Sequence, residues 1–166
     1  EAWLEEVLQP APGRVEPRCP HFGMCGGGAL QHLDPGTQLE GKTRPVLEKL
    51  QQVAGDFEVL SAVPAPCPWY YRGKIELSFL GQQLGFNRRG RFDRLVEVEE
   101  CFIGPPENRA ILQTTRAWAR HHDLPGWDPR ANRGLLRYLV IRRSQATAKW
   151  LVTLVTCSYV TLNPTL

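Results

Sequence analysis

Two thiols, two imidazoles and a triple glycine crowd into one irregular stretch, RCPHFGMCGGGALQHL, running from Arg18 to Leu33. Cys19 and Cys25 stand with five residues between them, and Gly26 to Gly28 let the backbone fold tightly, because glycine takes positive φ without steric cost. Such a segment has the make-up of a ligand loop. The chain holds five cysteines, an odd number, the others being Cys67, Cys101 and Cys157. In a reducing compartment, cysteines at short spacing suit metal binding or reactivity better than a disulfide framework. Zinc on Cys19, Cys25 and His21 or His32 is one option, since zinc accepts mixed sulfur and nitrogen ligands. An empty loop of ordinary thiols is another. A phosphate cradle is the weakest, because the glycines have neither a following P-loop lysine nor a preceding strand.

A second concentration of chemistry lies between Arg72 and Arg94. It contains Arg72, Lys74, Arg88, Arg89, Arg91 and Arg94, opposed by Glu76 and Asp93, with Trp69, Tyr70, Tyr71, Phe86 and Phe92 interleaved. Of 20 basic residues in the chain, 16 are arginine, the side chain suited to forked phosphate contact and to stacking on bases. Charge for a phosphate backbone and flat rings for unstacked bases together suggest RNA contact. A solvated basic hairpin would carry the same residues.

These side chains need elements to position them. At 166 residues, with 42% hydrophobic and 22% charged residues, the chain has material for one core. No apolar run approaches the roughly 18 residues of a membrane span, and the acidic opening from Glu1 to Glu6 is unlike a secretory leader. A cytoplasmic setting is therefore expected. Trp3 to Leu8 reads as the end of a strand, cut off by Pro10, Pro12, Gly13 and Pro17. Asp34-Pro35 predicts a helix start. Leu39, Val46, Leu47, Leu50 and Val53 form a core-facing stripe up to Gly55, with Pro45 expected to kink the helix or split it in two.

After the rigid connector Pro64–Pro68, Tyr71, Ile75, Leu77 and Phe79 alternate with polar residues, the period of a half-buried strand. Leu84 to Phe86 returns, Arg88 to Arg91 makes a basic tip, and Leu95 to Val98 completes a second hairpin ending at Cys101. A helix is predicted over 106–122 with Ala110, Ile111, Thr114, Ala117, Trp118 and His121 on its inner face. His121 and His122 point about 100° apart on such a helix and read as a solvated end. Residues 134–143 and 149–156 form a strongly apolar hairpin in the interior of a sheet, with Arg137, Arg142 and Arg143 at its faces or end. The fold class is α+β, a mostly antiparallel sheet of hairpins with two main helices.

Five collinear motifs then resemble the RNA uracil-5-methyltransferase family: Cys19-x5-Cys25-Gly-Gly with Gln31-His32-Leu33, Pro68 to Glu76, Leu84 to Asp93, the isolated Cys101, and Gly134 to Arg142. The resemblance implies that residues 1–17 are the tail of an upstream TRAM (OB-like) barrel and 18–166 a central RNA-recognition domain with an iron–sulfur loop. It implies RNA, either 23S ribosomal RNA or transfer RNA, as the partner of a monomer, through Trp69, Tyr71, Arg72, Lys74, Arg88, Arg89, Arg91, Arg137 and Arg142. It also implies a [4Fe–4S] cluster on Cys19, Cys25, Cys101 and a further cysteine, whose place falls on Gly28; three thiolates with an outside ligand, a three-iron cluster, or Cys67 as a fourth ligand are the alternatives.

In that family a thiolate adds to C6 of uracil, C5 takes the methyl of S-adenosylmethionine, and a base removes the C5 proton. Those residues belong to a Rossmann-like domain, and no glycine-rich nucleotide turn follows a strand in this chain. Cys157, at an apolar strand end, reads as structural. The expectation is thus a part of an S-adenosylmethionine-dependent RNA methyltransferase that is not catalytic alone. A non-enzymatic structural or zinc-binding module is the rival.

Overall fold

The computed structural model describes residues 5–157. Its elements are α1 (Pro35–Ala54), β1 (Lys74–Leu80), β2 (Gln83–Asn87), β3 (Leu95–Val96), α2 (Asn108–His121), β4 (Leu136–Arg143) and β5 (Trp150–Thr156). The strands form one antiparallel sheet in the order β3-β2-β1-β4-β5. This is the expected α+β arrangement.

The period-two pattern of β1 sets the core. Ile75, Leu77 and Phe79 point inward at 2%, 0% and 5% exposure, while Lys74 and Glu76 face out. Across the ladder Ile75 meets Ile141 and Leu77 meets Leu139 on β4, and Leu84, Val98, Leu112, Ala119 and Leu136 complete the cluster. At Gly85 on β2 an added Cβ would collide with the Val96 carbonyl of β3, so only glycine permits this approach of the two strands.

Helix α2 turns a different face inward from the one its apolar spacing predicts. The buried residues are Asn108, Leu112, Arg116 and Ala119, with Ile111 and Trp118 flanking, whereas Ala110, Thr114, Ala117 and His121 are exposed. The cause is Arg116, a charged side chain that lies inside the core. Its Nη2 donates to the carbonyls of Leu84 at 2.7 Å and Val98 at 2.8 Å, while Nη1 reaches Glu99 at 3.4 Å. A guanidinium whose Nη2 meets two carbonyls can occupy a core position that an unpaired charge could not, although its buried Nε–H finds no partner.

Two further expectations change. Helix α1 continues through Pro45 as one element and is not split in two, and none of its residues is buried: Val46, Leu50 and Val53 are exposed, so the apolar stripe does not face the core. Its start is set by Asp34, whose Oδ1 accepts from the N–H groups of Gly36 and Thr37 at 2.9 and 3.0 Å. The hairpin of β4 and β5 has only β4 in the sheet interior. β5 is an edge strand with Leu151 and Val152 exposed, since nothing among the described residues pairs with its outer side. Of the strand expected at Trp3 to Leu8, Trp3 and Leu4 lie outside the described residues, and Glu5 to Leu8 carry no strand.

Candidate nucleic-acid interface

The cysteine loop is a chain of turns: Phe22 N–H donates to the Cys19 carbonyl at 3.0 Å, Cys25 N–H to His21 at 3.0 Å and Gln31 N–H to Gly28 at 3.1 Å. One end is tied to the basic hairpin tip, where Arg89 N–H donates to the Met24 carbonyl at 2.8 Å and Cys25 bridges to Arg88. The other end pairs with the upstream segment, Val15 N–H donating to the His32 carbonyl at 2.9 Å. The loop therefore connects the tip, the start of α1 and the entry of the chain.

Cys19, Cys25 and Cys101 are neighbours, as their spacing alone could not establish. Burial pushes the Cys19 and Cys25 thiols above their ordinary pKa, and the nearby Cys101 adds to this. Backbone N–H groups oppose the rise, from His21 at Cys19 and from Gly27 at Cys25, where N···Sγ is 3.4 Å. Among the described residues, no group of three or more His, Cys, Asp or Glu side chains converges on a point where a metal ion would sit.

The corner where a fourth thiol would stand belongs to Gly28, at φ 64°, and a Cβ built there runs into the Gln31 carboxamide. That carboxamide is engaged, its Oε1 accepting from Cys19 N–H at 3.2 Å. The residues present do not fit a four-thiolate cluster: one ligand is missing and a glutamine brace fills its place. Nor do they assemble a zinc site, since the rings of His21 and His32 join no such group, and His32 instead packs on Phe22 at 5.4 Å. Cys67 and Cys157 are exposed, Cys157 donating its S–H to the Gly134 carbonyl at 2.6 Å.

The basic residues named from the sequence differ in what already engages them. Arg88 and Arg89 are exposed on the tip beside the loop, and Arg72 lies near Cys25, whose thiol its charge pulls down. Lys74 and Arg142 face each other across β1 and β4, though Lys74 is shared with Glu76 at 2.9 Å. Arg91 is taken up: its Nε and Nη2 grip Asp93 in a bidentate pair at 2.8 and 2.9 Å, and Arg130 joins the same carboxylate. The Arg91 bonds, with help from Arg130, hold the Asp93 carboxyl far below the usual carboxylate range. Arg137 stands at the opposite end of β4 from Arg142, its guanidinium 4.7 Å from the Trp127 ring.

Of the aromatics, Tyr71 is 57% exposed and Trp69 half-buried. Both line a cavity of about 520 Å³ between α1, the cysteine loop and the Pro64–Tyr71 segment. Sequence reading missed Arg18, which sits 5.3, 5.4 and 4.5 Å from the rings of Trp69, Tyr70 and Phe102 and donates to the Tyr70 hydroxyl at 2.9 Å. It missed Arg130 as well, and it placed Gln31 in a motif without its brace on Cys19. None of these contacts follows from a periodic pattern, so only the folded arrangement reveals them.

No family model matches the chain. Individual proteins do. Over 151 residues the chain is 33% identical to the tRNA (uracil(54)-C(5))-methyltransferase of Pyrococcus abyssi, covering 91% of this chain and 36% of that protein. Over 173 residues it is 36% identical to an uncharacterized RNA methyltransferase of Clostridium acetobutylicum, covering 99% of this chain and 38% of that one. The crystal structure of the Pyrococcus abyssi enzyme, in complex with S-adenosyl-L-homocysteine, superposes with a TM-score of 0.75 at 29% identity over 96% of this chain and 36% of that chain. The chain thus spans little more than a third of the length of the relatives it matches. Over that span, in sequence and in fold, it resembles RNA methyltransferases, among them a tRNA (uracil(54)-C(5))-methyltransferase.

Proposed function

We propose that this chain is the RNA-holding part of an S-adenosylmethionine-dependent RNA uridine C5-methyltransferase. Transfer RNA is the substrate class named for the Pyrococcus relative, and the same class is proposed here. The observation that carries the reading is the basic tip, Arg88 and Arg89, seated on a loop that lines a cavity with Trp69 and Tyr71, within a chain whose likeness to that enzyme covers 96% of its length. Arginine on a ridge contacts phosphate without reading sequence, and rings beside it stack on bases that have left a helix.

Methyl transfer itself is assigned to the parts of the family's proteins that this chain does not match. There the methyl donor supplies a carbon electrophile and a thiolate activates the uracil ring. The residues described here orient the RNA: Arg88, Arg89, Arg72 and Arg142 hold phosphates, and Trp69 and Tyr71 receive bases. Lys74 and Arg137 contribute less, one shared with a carboxylate and the other stacked on an indole. Arg91 serves the hairpin more than the RNA, because Asp93 holds it. Gly28, with the Gln31 carboxamide against it, leaves no place for a fourth cluster thiolate. A monomer working in the cytoplasm completes the reading, and no helix among the described residues is long and apolar enough to cross a membrane.

Fluorescence anisotropy of the chain with a uridine-containing stem-loop RNA tests this. Affinity should fall steeply and log-linearly with salt, with a slope set by the number of phosphates neutralised. Salt-independent binding, or none, would refute it.

A further inference from the structure

We infer that the 520 Å³ cavity beside the cysteine loop is a pocket for one unstacked nucleobase of the bound RNA, with Trp69 and Tyr71 as its stacking surface and Lys42 at its rim for the adjoining phosphate. The inference rests on the RNA-holding role proposed above and adds to it a defined site. The volume suits a small flat ligand, and the lining has the make-up of a ligand pocket, mostly apolar with a few fixed polar groups. Leu39 and Ile103 supply the apolar wall, and Gln31, braced by Cys19 N–H, a polar one.

Three features show that the aromatic wall is held in place. Tyr70, between the two rings, has φ 55°, a left-handed conformation that a tyrosine keeps only when its surroundings enforce it. Its N–H is fixed to the Phe102 carbonyl at 2.9 Å, and Arg72 N–H to Ile103 at 2.8 Å. Arg18 packs against Trp69 and is itself anchored through the Tyr70 hydroxyl, which donates to Glu100 at 3.2 Å. A ring immobilised before binding loses little entropy when a base stacks on it.

Position and charge point to RNA as the occupant. The loop that carries Arg88 and Arg89 on its Met24–Cys25 end lines the cavity with its Gly28–Leu33 end. A strand whose phosphates lie on the tip therefore has the cavity next to it. Glu16, also at the cavity, offers a carboxylate that would accept from a base N–H.

The experiment measures anisotropy of the full chain with a stem-loop RNA and with versions carrying one abasic nucleotide in the loop. The variants are Trp69→Ala, which removes the stacking surface, and Ala29→Trp, which fills the cavity from an exposed loop position and leaves the aromatic turn intact. Each should weaken binding about ten-fold, the effect of losing one stacked base, with the salt slope unchanged. An abasic position should cost the unmodified chain the same factor and cost the two variants nothing further. If both variants bind the intact RNA as tightly as the unmodified chain, or if the abasic penalty persists in them, the pocket is overturned while the RNA-holding role stands. Absence of any salt-sensitive binding by the unmodified chain overturns both.

Discussion

The sheet with α2 and the cysteine loop with α1 are built on opposite principles. In the first, burial decides: Leu77, Leu112 and Leu136 are fully enclosed, and even the charged Arg116 is drawn in, its Nη2 held by two carbonyls. In the second no residue of α1 is buried, and the structure is held by local hydrogen bonds, the Asp34 cap, the Gln31 brace and the turns of the loop. Stability resides in the sheet half, and the residues proposed to meet RNA lie where the two halves adjoin: Arg88, Arg89, Arg72 and Arg142 on the tip and strand ends of the sheet, Trp69 and Tyr71 beside the loop, which local bonds hold without a packed interior.

The sharpest way to break that contrast is truncation in each half. Leu77→Ala should destabilise the chain by about 2–5 kcal/mol, as cavity-forming core substitutions do. Leu50→Ala on α1, 43% exposed, should stay within about 0.5 kcal/mol. Urea denaturation of both variants checks this, and equal losses would dissolve the distinction. Next in size, Arg116→Met leaves two buried carbonyls without their charged donor, and each such bond contributes about 1.5–3 kcal/mol. Arg116→Lys should rescue only in part, because one ammonium cannot reproduce the fork.

Smaller effects belong to the polar half. The carboxyl of Asp34 is held below its ordinary range, first by the Thr37 side chain and then by backbone N–H groups. A lowered folded-state pKa means that its contribution is fully present above the unfolded value, near pH 4, and is lost as pH falls through the folded one. Asp34→Asn should therefore lower the melting temperature slightly at neutral pH and flatten the acid limb of a melting-temperature profile below about pH 4. Asp93→Asn should act on RNA instead of stability alone: freeing Arg91 and Arg130 is expected to steepen the salt slope by about one, whereas Arg88→Ala with Arg89→Ala should shallow it by about two.

How much of this was legible in the sequence follows the same division. The β1–β4 core could be read because alternation and burial agree along Ile75, Leu77 and Phe79. The face of α2 was misjudged because a charged residue counts as exposed until its carbonyl partners, remote in sequence at Leu84 and Val98, are known. Periodicity on α1 reported an apolar side but not whether anything covers it. Cys19, Cys25 and Cys101 were nameable as a set, yet the geometry that refuses a four-thiolate cluster depends on where the Gln31 carboxamide rests. Of the residues named as RNA contacts, Tyr71, Arg88 and Arg89 stand exposed and Trp69 half-buried, while Arg91 is engaged, its Nε and Nη2 both held by Asp93 two residues away.

Gly85 has a consequence for how variation in this protein is to be judged. The basic tip hangs between Asn87 and Leu95, and those two residues are level only because β2 can lie against Val96 without a side chain at position 85. A change there to alanine alters no charge, no ring and no hydrogen-bonding atom, so inspection of the sequence would pass it as harmless. It would nonetheless push the two strands apart and swing Arg88 and Arg89 away from the loop beneath them. A lesion in RNA binding could thus arise from a single methyl group that never meets the RNA.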